Sequence, residues 1–315
     1  MPTARYNGEA VDPSPLGQPL QFAFSGRTAP NRFLKGAMSE RLATFSPSDL
    51  ENRGIPTQES VNLYKHWGDG EIGLSLTSNV MIAPDQLEAA GNLVIPREAP
   101  FSGQRFERYS ELASGAKKHG SLIVAQVSHP GRQTSEQLQP EPISASAVKL
   151  ETALLGMSFA TPRAATKDDI KGVIDGFAHA AEYLEKAGFD GIELHGAHGY
   201  LLSQFLSSTT NKRTDEYGGD LKNRMRLILE IRAEIAKRVR KDFIVGIKIN
   251  SVEFQEHGFQ PEEAKLLCAA LEEHEFDFVE LSGGTYEKWS MDEKRDSTQK
   301  REAVSLSFFF LFMSL

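Results

Sequence analysis

Compact apolar runs alternate with longer amphipathic segments along most of the chain, and the alternation repeats six times. The six runs are residues 33–38, 72–80, 121–127, 189–195, 243–249 and 276–282. Each run has the length of a strand and is apolar on both faces, as expected of a parallel strand covered on two sides. The segments between them carry helix start signals, with Thr57, Ser102 and Thr166 at N-cap positions. This strand–helix repeat predicts an α/β fold with a parallel sheet.

Two regions depart from the repeat near its beginning and middle. Residues 20–24 alternate apolar and polar side chains after a Pro- and Gly-rich start, which predicts a small strand or hairpin. Residues 130–163 contain several Pro, Ser and Ala residues, which predicts a long extended loop. Long loops in compact domains are often functional.

Six strand–helix units are two fewer than a closed (β/α)8 TIM barrel requires. The last thirteen residues, 303–315, hold four Phe and three Leu and carry no charge. They are shorter than the roughly twenty apolar residues that span a bilayer. We therefore expect residues 1–302 to form an incomplete barrel and residues 303–315 to be an apolar tail that does not belong to it.

Composition narrows the class of protein. The 315 residues are 40% hydrophobic and 25% charged, which is enough apolar material for a sizeable core, and the net charge is -8. A net negative charge argues against nucleic acid or an anionic membrane as a partner. The single cysteine, Cys268, excludes an intramolecular disulfide, and the N-terminal residues lack the apolar stretch of a secretory signal. We expect a cytoplasmic protein.

Polar side chains stand at or just after the carboxyl ends of the six predicted strands. They are Ser39, Asn79, Gln126, His195, Lys248, Asn250 and Ser282. In parallel α/β folds the active site forms at this edge of the sheet. Single residues of this kind are often only hydrogen-bonded rim residues, but their recurrence after every strand predicts a convergent site.

The sharpest local motif joins two histidines to a tyrosine, His195, His198 and Tyr200, within a glycine-containing strand end. A metal site would need a third protein ligand, and the sequence shows no second cluster to supply one. Two neutral imidazoles can instead donate hydrogen bonds to a carbonyl or phenolate oxygen, and Tyr200 can donate a proton. The alternative is a pair of surface histidines on a flexible turn.

Lys248 lies in an otherwise apolar strand, where an unpaired charge is costly. It can form a Schiff base, as in an aldolase, or hold an anionic ring system. A lysine whose ammonium reaches solvent at the strand end is the third interpretation. No Gly-x-Gly-x-x-Gly follows a strand and no phosphate-binding P-loop is present, so a Rossmann or P-loop nucleotide site is not predicted.

Residues 195–224, which begin His-Gly-Ala-His-Gly-Tyr, resemble the signature of the Old Yellow Enzyme family over an ungapped run. Residues 29–38, 72–79, 125–133 and 245–248 support the resemblance, which extends from about residue 19 to residue 303. The family consists of FMN-dependent NAD(P)H:flavin oxidoreductases and ene-reductases built on a TIM barrel. The resemblance therefore implies FMN as cofactor, NADPH or NADH as reductant, and an enone-type small molecule as substrate. It leaves open whether the chain forms a homo-oligomer.

The resemblance also implies roles for individual residues. Those matching the family's flavin-binding positions are Gly36, Ala37, Met38, Ser39, Asn79, Gln126 and Lys248. His195 and His198 match the pair that holds the substrate carbonyl oxygen, and Tyr200 matches the donor that protonates the α-carbon. Arg41 falls where some relatives carry an aromatic residue that contacts substrate.

Three features depart from the family pattern. Ser39 stands where relatives often have Cys or Thr, and Ala37 replaces a common proline. The family holds the FMN phosphate in loops after strands seven and eight, which the sequence does not show. The loss of several charge-assisted hydrogen bonds, each worth roughly 1.5–3 kcal/mol, weakens FMN binding, and the loss of two strands uncovers two apolar strand edges. We therefore expect this chain to be poorly soluble or free of flavin. The rivals to a flavoenzyme are a barrel remnant without cofactor and a Schiff-base aldolase that uses Lys248.

Overall fold

A computed structural model describes residues 11–152 and 156–288. The strands are β1 (Leu20–Gln21), β2 (Thr28–Ala29), β3 (Leu34–Lys35), β4 (Leu74–Met81), β5 (Leu93–Val94), β6 (Leu122–Ser128), β7 (Ile143–Ser144), β8 (Arg163–Ala164), β9 (Gly191–Gly196), β10 (Ile244–Val252) and β11 (Phe278–Gly283). The helices are α1 (Gln58–Asp69), α2 (Gly103–Ala116), α3 (Lys167–Lys186), α4 (Leu201–Leu206), α5 (Leu221–Arg224), α6 (Arg226–Ile235) and α7 (Pro261–Glu273), with a 3-10 turn at Ser14–Gly17. The predicted tail, 303–315, and the predicted boundary at residue 302 lie outside the described residues.

One parallel sheet organises the fold. Its main strands follow one another in the order β3, β4, β6, β9, β10, β11, which is also their order along the chain, and β5 pairs with the end of β4. Each of the six apolar runs overlaps one of these strands, so the predicted α/β architecture is confirmed. Successive parallel strands placed side by side, with helices between them, form the wall of a (β/α) barrel.

The sheet curls until its two ends face each other across an interior. The rings of Phe22 and Phe278 lie 6.0 Å apart between centroids, and a Cβ built on Gly36 would come within 3.9 Å of Glu280 Oε1. The predicted hairpin is present as the antiparallel pair β1–β2. It closes the amino-terminal end of the interior, where Ser25 N donates to Asp277 Oδ1 at 2.8 Å. The interior therefore opens at the carboxyl ends of the strands.

Two apolar layers hold the wall in place. The inner layer consists of Phe22, Ala29, Leu74, Leu76, Leu122, Val124 and Ile244. The outer layer is much larger and packs the helices on the sheet, with Tyr64, Tyr109, Phe177 and Tyr183 fully buried. Inward side chains nearer the carboxyl ends of the strands are polar, so the inner apolar layer lies below the predicted site.

Two of the three predicted N-caps form their capping hydrogen bonds. Thr57 accepts from Ser60 N, and Thr166 forms a reciprocal capping box with Asp169 at the start of α3. Ser102 also occupies the predicted N-cap position of α2, but its side chain makes no capping hydrogen bond. Gly103 follows it with a φ of 81°, so the first helical residue leaves the right-handed region and the hydroxyl does not meet the N–H groups of the first turn.

The terminal strands of the described sheet are less covered than the four between them. Leu34 on β3 is 44% exposed and Leu281 on β11 is 38% exposed, whereas β4, β6 and β9 are buried along their whole length. Apolar runs had predicted cover on both faces for all six strands. Within the described residues, β3 and β11 each have a neighbouring strand on one side only, which accounts for their exposure.

Candidate active site

The ends of β4 and β6 bring two amides together. The register between these strands shifts between Leu76 and Asn79, so that Asn79 stands opposite Gln126. Thr77 lies in this irregularity and its Oγ1 accepts from Gln126 N at 3.1 Å. Gln126 Nε2 donates to Glu193 Oε1 on β9 at 2.6 Å. The two predicted flavin-binding amides are therefore neighbours at one edge of the interior, and both are buried.

Lys248 occupies the centre of the next group of side chains. It stands opposite His195 on β9 and opposite Glu280 on β11. Its Nζ donates to Glu280 Oε1 at 2.8 Å, so the lysine is engaged in an ion pair inside the sheet. Glu193 lies beside this pair and is fully buried. Burial, and after it the charge of Glu280, raises the pKa of Glu193 well above its usual value of 4.5.

The two predicted histidines meet at the mouth of the interior, with ring centroids 5.3 Å apart. The backbone of His198 is held by a hydrogen bond from its N to Asn250 Oδ1, and its Nε2 lies 2.6 Å from Ser282 Oγ. Burial lowers the pKa of His195 well below 6.5 and that of His198 to about 4, with the Lys248 charge acting in the same direction. Both rings are therefore neutral near pH 7 and can each donate one hydrogen bond.

The turn that carries these histidines depends on unusual backbone angles. His198 has a φ of 58° and Gly199 a φ of 79°. A Cβ at Gly199 would lie 2.4 Å from Gln133 Oε1, so a larger residue would have to displace that side chain as well as adopt an unfavourable φ. The two left-handed residues reverse the chain between β9 and α4. This reversal brings Tyr200 back over the strand end.

Tyr200 packs edge-on against His195, with ring centroids 4.5 Å apart. Its hydroxyl lies 3.1 Å from the hydroxyl of Tyr286, in the loop after β11. Burial raises the pKa of Tyr200 well above 10.0, and the charges of Tyr286 and Glu88 add to the effect. Tyr200 is therefore a protonated phenol at neutral pH, placed beside the histidine pair. A side chain that donates a proton during the reaction must carry that proton beforehand, as Tyr200 does.

The segment after β3 approaches the site from the other side of the interior. Gly36 and Ala37 are half-buried, while Met38 and Ser39 are exposed. Arg41 has a φ of 56°, is 48% exposed at its side chain, and pairs with Glu88 Oε1 at 3.4 Å. The structure thus brings Gly36 close to the charged group around Glu280 and leaves Arg41 at the rim of the mouth.

Sequence reasoning missed three polar groups of this site: Glu193, Glu280 and Tyr286. Glu193 lies two residues before His195 on one strand, and Glu280 two before Ser282 on another, so the strand period of two places each on the same inward face as a residue predicted for the site. That signal was available. Tyr286 lies beyond its strand in a loop, and no periodicity would have located it.

The residues at this mouth fit the pyrimidine side of a flavin. A flavin ring offers carbonyl oxygens and an imide N–H there, and the site offers two amides, an ammonium group and the half-buried Gly36 backbone. Asn79 Oδ1 and His195 Nδ1 are buried and have no hydrogen-bond partner among the described residues. Unpaired buried polar atoms of this kind are expected where a polar ligand binds.

The part of the chain that the structure describes shows neither a metal-binding cluster nor a membrane-spanning helix. Residues 11–152 and 156–288 contain no group of three or more His, Cys, Asp or Glu side chains arranged to hold a metal ion. Among the helices within the same ranges, none is both long and apolar enough to cross a membrane.

Comparisons with known proteins agree on one family. A sequence model of the NADH:flavin oxidoreductase / NADH oxidase family matches residues 15–309. The chain is 60% identical over 301 residues to the NADH-dependent flavin oxidoreductase nadA of Aspergillus parasiticus, covering 95% of this chain and 68% of that protein. It is 33% identical over 314 residues to the NADH-dependent flavin oxidoreductase iliE of Neonectria sp., covering 94% of this chain and 39% of that protein.

A solved structure supports the same fold. Morphinone reductase in complex with tetrahydroNAD superposes with a TM-score of 0.70 at 25% identity, covering 84% of this chain and 73% of that chain. The predicted family resemblance and barrel class are thereby confirmed.

Proposed function

The chain belongs to the NADH:flavin oxidoreductase / NADH oxidase family, and from that premise we propose that it is an FMN-dependent NAD(P)H oxidoreductase that reduces an activated alkene such as an α,β-unsaturated carbonyl compound. The observation that carries the proposal is the convergence of Asn79, Gln126, Lys248, the histidine pair and Tyr200 at one mouth of the sheet. The names of the two relatives support NADH as the reductant to test first.

A bound flavin would supply hydride transfer between NAD(P)H and the acceptor. Gln126 and Asn79 are proposed to hold the pyrimidine side of the ring through their amides. Lys248 is proposed to lie beside the same side of the ring, and residues 36–39 to bound it through backbone groups. Donors for the FMN phosphate were expected in loops after a seventh and an eighth strand, and the described residues include neither strand.

The histidine pair is proposed to bind the substrate carbonyl oxygen. His195 and His198 are neutral, close together and at the open end of the interior, so each can donate one N–H to that oxygen. Such bonds draw electron density from the β-carbon and strengthen as negative charge develops on the oxygen. Tyr200, held beside His195, is proposed to deliver the proton to the α-carbon. Arg41, at the rim, is proposed to contact the outer part of the substrate.

The test is turnover of NADH with an enone in the presence of added FMN, compared between the wild type and the variants His195→Ala and His198→Ala. We expect both variants to bind phenols more weakly and to slow enone reduction, because each removes one donor to the oxygen. Flavin reduction by NADH should change less. Unchanged phenol affinity in both variants would refute the assignment.

The Schiff-base alternative rests on Lys248 alone. The structure engages that lysine with Glu280 at 2.8 Å rather than leaving its amine free to attack a carbonyl. Borohydride treatment in the presence of a carbonyl substrate would covalently label Lys248 in an aldolase. We expect no labelling.

The cellular location and the partners of the protein are also proposals. Cys268, the only cysteine of the chain, is buried and free, as suits the reducing conditions of the cytoplasm. We propose a cytoplasmic enzyme that acts on small molecules and has no nucleic-acid partner. Sedimentation analysis would establish whether it forms a homo-oligomer.

A further inference from the structure

The interior beneath the histidine pair contains three ionisable groups in contact. Lys248 lies on β10, and the strands on either side of it each contribute a carboxyl group: Glu193 on β9 and Glu280 on β11. Glu193 is fully buried, and Lys248 is 9% exposed. The side chain of Glu280 is 24% exposed, but its Oε2 atom is buried, so the charged ends of the three side chains meet in a space with little access to water.

The charges of this cluster do not balance if every group is ionised. One ammonium group can compensate one carboxylate, and the charge of a second buried carboxylate would remain unpaired. An unpaired buried carboxylate is strongly unfavourable, and two carboxyl groups that share a site do not both ionise. The groups that face Glu193 are Gln126 from β6, Lys248 from β10 and Glu280 from β11. His195 and His198, toward the mouth, are neutral.

The hydrogen bonds show where the compensating proton fits. Glu193 uses Oε1 to accept from Gln126, and Glu280 uses Oε1 to accept from Lys248. The remaining oxygen of each carboxyl group, Oε2, is buried and receives no donor from the described residues. A hydrogen bond between the two carboxyl groups contributes to the raised pKa of Glu193, after burial and the Glu280 charge. One proton shared between the two carboxyl groups gives both Oε2 atoms a hydrogen bond.

We propose that Glu193 and Glu280 hold one proton between them and, with Lys248, form an electrically neutral layer next to the proposed flavin site. Glu193 and Glu280 are then positioning residues that act through Lys248. A free ammonium group would favour the negatively charged reduced ring over the oxidised ring, and the neutral layer weakens that preference. The shared proton itself does not depend on the proposed function, whereas its effect on the flavin does.

The shared proton is tested by infrared spectroscopy of the purified chain at neutral pH, without any need for bound flavin. A protonated carboxyl group gives a carbonyl stretch that is separate from the carboxylate bands. We expect one such band to disappear in Glu193→Gln and also in Glu280→Gln, because the carboxylate that remains pairs with Lys248. Glu253, which directly follows β10, is buried and accepts hydrogen bonds from Ser203 and Ser207. Glu253→Gln is therefore the matched control, because it removes a different buried carboxyl group and should leave this band in place.

Two results would overturn the shared proton. The first is a wild-type spectrum in which no band remains beyond the one that Glu253→Gln removes. The second is a band that persists in Glu280→Gln, which would mean that Glu193 is protonated by burial alone. If Glu193→Gln does not fold, the wild type and Glu280→Gln still decide the question.

The effect on the flavin is tested by the reduction potential of protein loaded with FMN. Both single variants should leave the ratio of affinities for reduced and oxidised FMN within about twofold of wild type, because the layer stays neutral. The double variant E193Q/E280Q leaves Lys248 uncompensated and should raise that ratio about tenfold or more. A rise in Glu280→Gln as large as that in the double variant would overturn the neutral layer. Absence of flavin binding in every form would instead count against the proposed function and would leave the infrared result standing.

Discussion

Replacing His198 by Asn should remove a specific loss of stability in acid. His198 is half-buried, and the loss of hydration around its ring lowers its pKa from 6.5 to about 4. A group whose pKa is lower in the folded state contributes stability that is fully present above its unfolded pKa and is lost as the pH falls through the folded pKa. Asn cannot titrate in this range. It also tolerates the φ of 58° at this position better than most residues do.

The magnitude follows from the two pKa values. At about 1.4 kcal/mol for each pH unit, the contribution of His198 that is lost is about 2 kcal/mol near pH 5 and about 3 kcal/mol near pH 4, relative to neutral pH. Loss of the contact with Ser282 lowers the stability of the variant by an amount that does not depend on pH. The free energy of unfolding of His198→Asn should therefore fall less steeply below about pH 6.5 than that of the wild type.

Urea unfolding at a series of pH values measures this difference. The exposed His66, changed to Asn, controls for the replacement of an imidazole by an amide. Parallel curves for the wild type and His198→Asn between neutral pH and pH 4 would refute the reasoning, because they would show that His198 takes up its proton equally in the folded and unfolded states.

Three further predictions concern the proton donor, a helix cap and a close strand contact. Tyr200→Phe should slow alkene reduction on the order of a hundredfold and leave quinone reduction little changed. Tyr286→Phe, which removes the hydrogen-bond partner of Tyr200, should slow alkene reduction less. Steady-state rates with both acceptors check this prediction, and a Tyr200→Phe variant that reduces alkenes as fast as the wild type would contradict it. Thr166→Ala should lower the free energy of unfolding by about 1 kcal/mol through loss of the capping box, measured in urea. Gly191→Ala should cost about 3 kcal/mol, because its Cβ would lie 2.4 Å from a carbonyl oxygen of the neighbouring strand, whereas the helical Gly172→Ala should cost little.

The sequence was sufficient for the parallel strand–helix architecture and for the edge of the sheet at which the candidate site lies. Runs that are apolar on both faces predicted the central strands, because β4, β6 and β9 are covered by helices on one side and by the interior on the other. Polar residues at the strand ends predicted the mouth, because parallel strands all end at the same edge. The pairing of Asn79 with Gln126 was not predictable, since it depends on a register shift within β4.

The sequence also did not predict the contacts between segments that are distant along the chain. The ion pair between Lys248 and Glu280 joins neighbouring strands whose register the sequence does not reveal. The contact of Tyr200 with Tyr286 depends on the course of a loop after the last described strand. Both contacts change the chemistry of residues that the sequence did identify. For this reason the type of site was predictable and the electrostatics of its interior were not.

The visible absorption spectrum of the purified chain, recorded without oxygen and with FMN supplied in excess, tests the central claim most directly. We predict that, with FMN in excess, NADH or NADPH bleaches the flavin absorption only when the protein is present, and that the absorption returns when an enone is added. A chain that binds no flavin under these conditions, or binds flavin that neither nicotinamide reduces, would contradict the account.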